Sequence, residues 1–173
     1  MKKLVISLAV IIALLCLNKK EQVIIPKESI RFRVIANSDS AEDQNIKKAI
    51  INNLKTKMTS LQFTPKDLIS SRKIIKKQIP IFSQIVDETL KEENYETNYT
   101  INYGKNYFPE KEYKGVIYEE GDYESLVITL GDGLGENFWC VLFPPLCLLE
   151  AEENETQDVE YTSFIKEIID KYF

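Results

Sequence analysis

The chain has 173 residues, 44% of them hydrophobic, which is enough apolar material for one core and little for a second. It contains no His, so the commonest general base, the Ser–His and Cys–His nucleophile pairs and the most frequent zinc ligand are all missing. The net charge is −5, with nine Lys/Arg against one Asp in residues 44–86 and six Lys against twenty-one Asp/Glu in residues 87–173. That balance argues against nucleic-acid binding and for a helical layer with a solvated basic face packed on an acidic β layer.

Lys2 and Lys3 precede Leu4–Leu17, which is apolar except for Ser7, and Asn18, Lys19 and Lys20 follow. This is a positive n-region and an apolar h-region of secretory length. Residues 4–17 as a helix reach about 21 Å, short of the roughly 30 Å hydrocarbon core. Residues 1–20 are therefore expected to be a signal peptide or membrane anchor, with transient or tethered membrane association through residues 4–17. No small-x-small site follows the h-region, so cleavage and retention both stay open. Cys16 sits in a partial likeness of a lipoprotein box, but Leu15 stands where a small residue belongs.

Residues 28–149 are expected to form one domain of the α+β class, a mostly antiparallel sheet with two to three helices on one side. Residues 30–36 alternate apolar and charged over their first half, predicting a strand with Ile30, Phe32, Val34 and Ala36 inward. Asn37-Ser38-Asp39-Ser40 supplies turn and cap residues, and Ser40 with Asp43 fits a capping box. The helix it opens runs from about Ala41 to Met58, with Ile46, Ala49, Ile50, Leu54 and Met58 on one stripe. Thr64-Pro65-Lys66-Asp67 reads as a second helix start capped by Thr64, with Leu68, Ile69, Ile75 and Ile79 as core positions. Pro80 should end or kink that helix, leaving Ile81 to about Glu92 as another.

From Tyr95 the pattern turns to β. Residues 97–103, 115–118, 126–130 and 138–143 read as strands, and residues 119–123 as a turn, with hairpin or meander connections. The stretch 150–160 holds six acids and reads as a solvated linker. Val159, Phe164, Ile165, Ile168, Ile169 and Tyr172 then recur at helical spacing, so residues 150–173 are expected to be an acidic linker and a terminal amphipathic helix docked on the domain.

Gly131-Asp132-Gly133-Leu134-Gly135-Glu136 has glycine spacing close to a dinucleotide fingerprint. A strand rather than a helix follows it, which favours a hairpin turn using glycine for positive φ. No cofactor or metal site is expected, since Asp132 and Glu136 are too few for a calcium cage. Glu119, Glu120, Asp122, Glu124, Asp132 and Glu136 offer carboxylate pairs for a cell-envelope hydrolase or an envelope-binding module, although nothing fixes their separation. Cys140 lacks a His to activate it. With Cys147 it is a disulfide candidate if the domain is exported, and two buried thiols are the alternative. Phe138, Trp139, Phe143, Pro144, Pro145 and Leu146 combine aromatic area with a rigid Pro pair, the material of an interface anchor.

The segments IRFRVIANSDSAEDQNIK and GDYESLVITLGDGLGENFWCVLFPPLC resemble the stage II sporulation protein R family, a likeness spanning most of residues 30–147. Phe138 stands where that pattern has a second Trp. The resemblance implies a non-enzymatic signalling protein of endospore-forming bacteria, exported from the forespore into the space between the two sporulation membranes. It implies a partner, a membrane-embedded aspartic protease that processes the sigma-E precursor and is touched on its extracytoplasmic face. The contact surface is expected to combine Arg31, Arg33, Asn37, Ser38 and Asp39 with Trp139, Phe143, Pro144 and Pro145.

Overall fold

The computed structural model describes residues 23–61, 65–149 and 158–173. The predicted signal segment with Cys16, the predicted cap at Thr64 and most of the acidic linker lie outside them. No helix among the described residues is long and apolar enough to cross a membrane.

The alternation at residues 30–35 produces β2 (Ile30–Ile35), which follows a short β1 (Val23–Ile24) that the sequence reading lacked. Ile30, Phe32 and Val34 are buried in the main core, and the intervening Arg31 and Arg33 fall on the opposite face of the sheet, as the two-residue period requires. β2 is an interior strand. It pairs in parallel with β6 (Gly121–Leu130), Phe32 opposite Leu126, and antiparallel with β7 (Asn137–Phe143), Phe32 opposite Cys140. β3 (Tyr99–Phe108) completes the order β3-β6-β2-β7 through a ten-residue antiparallel ladder with β6. The fold is thus α+β with a mixed sheet. The parallel pair needs a long crossover, and two helices and β3 supply it.

That long ladder explains why the predicted turn at residues 119–123 is shorter than expected. Gly121, at φ 148°, already faces Phe108, so the strand begins there. A second sheet, in the order β1-β5-β4, joins β4 (Lys111–Tyr113) and β5 (Val116–Tyr118) through Lys114 and Gly115, at φ 48° and 78°. Positive φ at both central residues is the hairpin turn whose twist matches its strands.

α1 (Ala41–Ser60) and α2 (Leu68–Glu92) cover one face of the larger sheet, burying Ile46, Ile50, Leu54, Met58, Ile75, Phe82, Val86 and Leu90. Ser40 caps α1 by accepting from the Asp43 amide, but the carboxylate of Asp43 does not complete a capping box. It turns instead toward Asn37, Ser38 and Tyr95. Asp67 caps α2 in a reciprocal box with Ser70, three residues beyond the predicted Thr64. Ile69, expected in the core, is 63% exposed, whereas Phe82, absent from the predicted stripe, is fully buried. Pro80 lies inside one continuous helix on its exposed side. The missing amide bond is there a solvent-side loss, and burial of Ile75 before it and Phe82 and Val86 after it holds the helix together across the gap.

α3 (Leu146–Leu149) is a single turn, and α4 (Asp158–Tyr172) packs Tyr161, Ile165 and Ile168 against Val23, Ile25, Val116, Tyr118, Val141 and Leu146 in a second core. A register shift between Ile30 and Arg31 sets Ile30 opposite Phe143 and Arg31 opposite Val141. This bulge turns Phe143 back into the main core beside Cys140 and Leu142, and Val141 serves the second one.

Candidate docking surface

The two motif segments singled out in the sequence interlock at one end of the larger sheet. Asn37 donates from Nδ2 to Asp43 at 3.0 Å and accepts the Asp132 amide on Oδ1 at 3.0 Å. Ser38 Oγ donates to Asp43 at 2.6 Å, Tyr95 donates its hydroxyl to the other Asp43 oxygen, and Asp39 accepts the Glu136 amide at 2.6 Å. Backbone bonds run from Leu134 to Asn37 and from Gly135 to Ala36, each at 3.0 Å. Hydrogen bonds from Ser38, Tyr95 and Asn37 hold the Asp43 carboxyl below the usual range against the opposing pull of burial. The bond to Asp43 pushes the Tyr95 hydroxyl up.

The glycine loop is not the predicted hairpin turn. β6 and β7 flank β2, so residues 131–136 must cross the end of β2, and they do so in contact with its backbone. A Cβ at Gly135 would meet the Ser38 carbonyl oxygen at 2.2 Å, and one at Gly131 would meet Asn37 Oδ1 at 2.2 Å. Close approach therefore demands glycine at both positions. Leu134 stands at the crown, 79% exposed.

Beyond this corner, on the face opposite α1 and α2, lies an arginine and aromatic cluster. Arg31 is 1% exposed, with its guanidinium carbon 3.3 Å from the Tyr123 ring centroid, 5.3 Å from Phe108 and 5.8 Å from Tyr118. Its three side-chain nitrogens have no hydrogen-bond partner among the described residues. Burial lowers its pKa, and the neighbouring Tyr123, Tyr118 and Glu119 pull the other way. Arg33 stacks on Phe108 at 4.6 Å, and Trp139 meets Phe108 edge to face at 5.4 Å.

Of the nine expected contact residues, Asp39 is exposed and Arg33, Asn37, Ser38 and Trp139 are partly so. Arg31, Phe143, Pro144 and Pro145 are buried, which removes them from any surface a partner can reach in the folded protein. The Pro pair follows a cis Phe143–Pro144 bond and carries the chain inward to Leu146 and Cys147, and Phe143 packs against the rings of Tyr172 and Phe173. Local rigidity was visible in the sequence; the direction of the bend was not. Cys140 and Cys147 have Cα atoms 5.4 Å apart and sulfurs at disulfide distance.

A cavity of about 200 Å³ opens between the two sheets, lined by Lys111, Tyr113, Tyr118, Asn137, Phe138 and Trp139. Lys111 Nζ lies 5.2 Å from the Trp139 ring centroid, and Asn137 Oδ1 is buried without a partner among the described residues. Lys111 and Tyr113 escaped the sequence reading because β4 is only three residues long, and the Lys114-Gly115 turn was the signal that would have found it; Asn137, at the start of β7, carried no local signal of a cavity.

The candidate hydrolase carboxylates are split. Asp132 and Glu136 lie in the loop after β6, whereas Glu119, Glu120 and Asp122 lie at its start, a ten-residue strand of about 30 Å away. Neither glycosidase spacing, at most about 9.5 Å, spans that distance. Glu124 is held by Arg72 through bonds of 2.8–3.0 Å and by the Tyr103 hydroxyl at 2.6 Å, and these contacts lower its pKa. A carboxylate so held is a poor proton donor. Among the described residues no group of three or more Cys, Asp or Glu is placed to hold a metal ion.

The family model described as "Stage II sporulation protein R" matches residues 26–153. Stage II sporulation protein R of Bacillus subtilis (strain 168) is 36% identical over 138 residues, covering 80% of this chain and 62% of that protein's length. No solved structure matches.

Proposed function

The chain belongs to the stage II sporulation protein R family, and from that premise we propose that it has a sporulation role as an exported signal that activates a membrane-embedded aspartic protease for sigma-E precursor processing. The observation that carries this reading is the interlocked corner, in which Asn37 and Asp39 fix the glycine loop and present Leu134 beside Ser38 and Asp39 on a surface held by hydrogen bonds. A ligand shifts a receptor toward its active arrangement only by binding that arrangement better, and a rigid surface discriminates between receptor shapes more sharply than a pliant one. Asp39, Leu134, Arg33 and Trp139 are the contact residues of this proposal. A Cys140–Cys147 bridge suits an oxidising space outside the cytoplasm and would pin the end of β7 to α3.

The test is precursor cleavage in a non-sporulating host that produces this chain, its cognate membrane protease and a labelled precursor. Processing should require the chain and fall at least tenfold with Leu134→Ser, at a residue 79% exposed and outside both cores, while export and the unfolding midpoint stay unchanged. Processing that proceeds equally without the chain defeats the proposal.

A further inference from the structure

We propose that the cavity between β4, β5 and β7 is a binding notch for an extended polypeptide segment that places an apolar side chain against Trp139 and a neighbouring carboxylate against Lys111. Three independent features meet there. Among the described residues the strand order leaves β7 with one edge unpaired by another strand, and residues 137–139 at that edge line the cavity. An edge of this kind accepts an added strand through backbone hydrogen bonds while alternate side chains enter pockets. The buried Asn137 Oδ1, an acceptor without a donor among the described residues, is positioned for an incoming N–H. At about 200 Å³, with Tyr113, Phe138 and Trp139 as walls, the cavity takes one large apolar side chain.

Charge selects the second element of the ligand. Lys111 and Arg33 have no ion-pair partner among the described residues, and their ammonium and guanidinium rest on the rings of Trp139 and Phe108. Lys47 of α1 adds a third cation near Lys111, bonded to the Glu136 carbonyl at 2.7 Å. Glu136 and Asp39 are the opposing carboxylates on the loop side, and the Asp39 carboxylate is occupied by the Glu136 amide. Glu110 and Glu112 flank Lys111 in the chain and are exposed, so the preference for a carboxylate rests on its direct approach to the Lys111 ammonium over the Trp139 ring.

Trp139 is the only Trp of the chain, so intrinsic fluorescence reports the notch directly. Titration of the full chain with acetyl-Phe-Asp-amide should change that emission with an affinity about fivefold better than acetyl-Phe-Asn-amide, the size of an exposed charge pair. Lys111→Gln should abolish the difference while leaving the neutral peptide unaffected. Equal response to both peptides, no response to either, or tighter binding of phenyl phosphate than of the acidic peptide would each overturn the inference. The inference deepens the activator reading by naming the chemistry its partner presents, and the two fail separately. Precursor processing that needs the chain but is unaltered by Lys111→Gln refutes the notch alone, and processing independent of the chain refutes the activator reading alone.

Discussion

Gly135→Ala tests whether the glycine loop and the Asn37–Ser40 turn form one rigid unit. The added Cβ would sit 2.2 Å from the Ser38 carbonyl oxygen, 2.5 Å from its carbon and 3.0 Å from the Ala36 Cβ. Carbon–oxygen contacts normally begin near 3.3 Å, so about 1 Å of backbone movement is required. The obstacle is main chain rather than a flexible side-chain tip. Moving it stretches the Gly135–Ala36 and Glu136–Asp39 hydrogen bonds, each worth about 1 kcal/mol. With about 1–3 kcal/mol of overpacking strain, less the roughly 0.4–1 kcal/mol that alanine gains by restricting the unfolded chain, the net loss is about 3 kcal/mol. For a domain of this size the melting temperature should fall by about 10 °C, followed by circular dichroism. Gly104→Ala is the control, since its Cβ meets nothing closer than Asn102 Oδ1 at 3.4 Å, and it should stay within about 0.5 kcal/mol of wild type. Indistinguishable melting of the two variants would refute the interlock.

Asp43→Asn should flatten the acid limb of the stability curve. Because the folded pKa of Asp43 is depressed, its contribution is full above the ordinary carboxylate value near 4 and is lost as pH falls through the folded value. The gap between wild type and variant in urea midpoint should therefore be widest at neutral pH and close below pH 4, with Asp67 and Glu124 keeping some acid sensitivity in both proteins. A gap independent of pH would remove Asp43 as its source. Arg31→Met should leave stability within about 1 kcal/mol of wild type or raise it, because burying an ion costs several kcal/mol and stacking on aromatic rings returns about 2. A loss above about 3 kcal/mol in urea denaturation would show the guanidinium to be a net stabiliser.

The resemblance and the fold class were legible because both rest on what neighbouring residues say. Alternation at residues 30–35 set the faces of β2, and Ser40 marked the start of α1. The NSDS and glycine-rich segments were visible as motifs, yet their contact was not, since nothing local told that β2 would lie between β6 and β7 and that the glycines would have to cross its end. Asp43 looked like half of a capping box, but its carboxylate takes Asn37 and Ser38, six and five positions before it, and Tyr95, 52 positions after it.

Short-range pattern therefore determined most of the helices and strands and the apolar faces of β2 and α1, because backbone sterics and side-chain period act over a few residues. Tertiary structure decided which strands adjoin, that Pro80 lies on the solvent side of a continuous helix, and that Pro144 and Pro145 turn inward while Trp139 and Lys111 meet at an open edge. Those outcomes depend on burial shared among residues distant in the chain, a quantity that no local window contains.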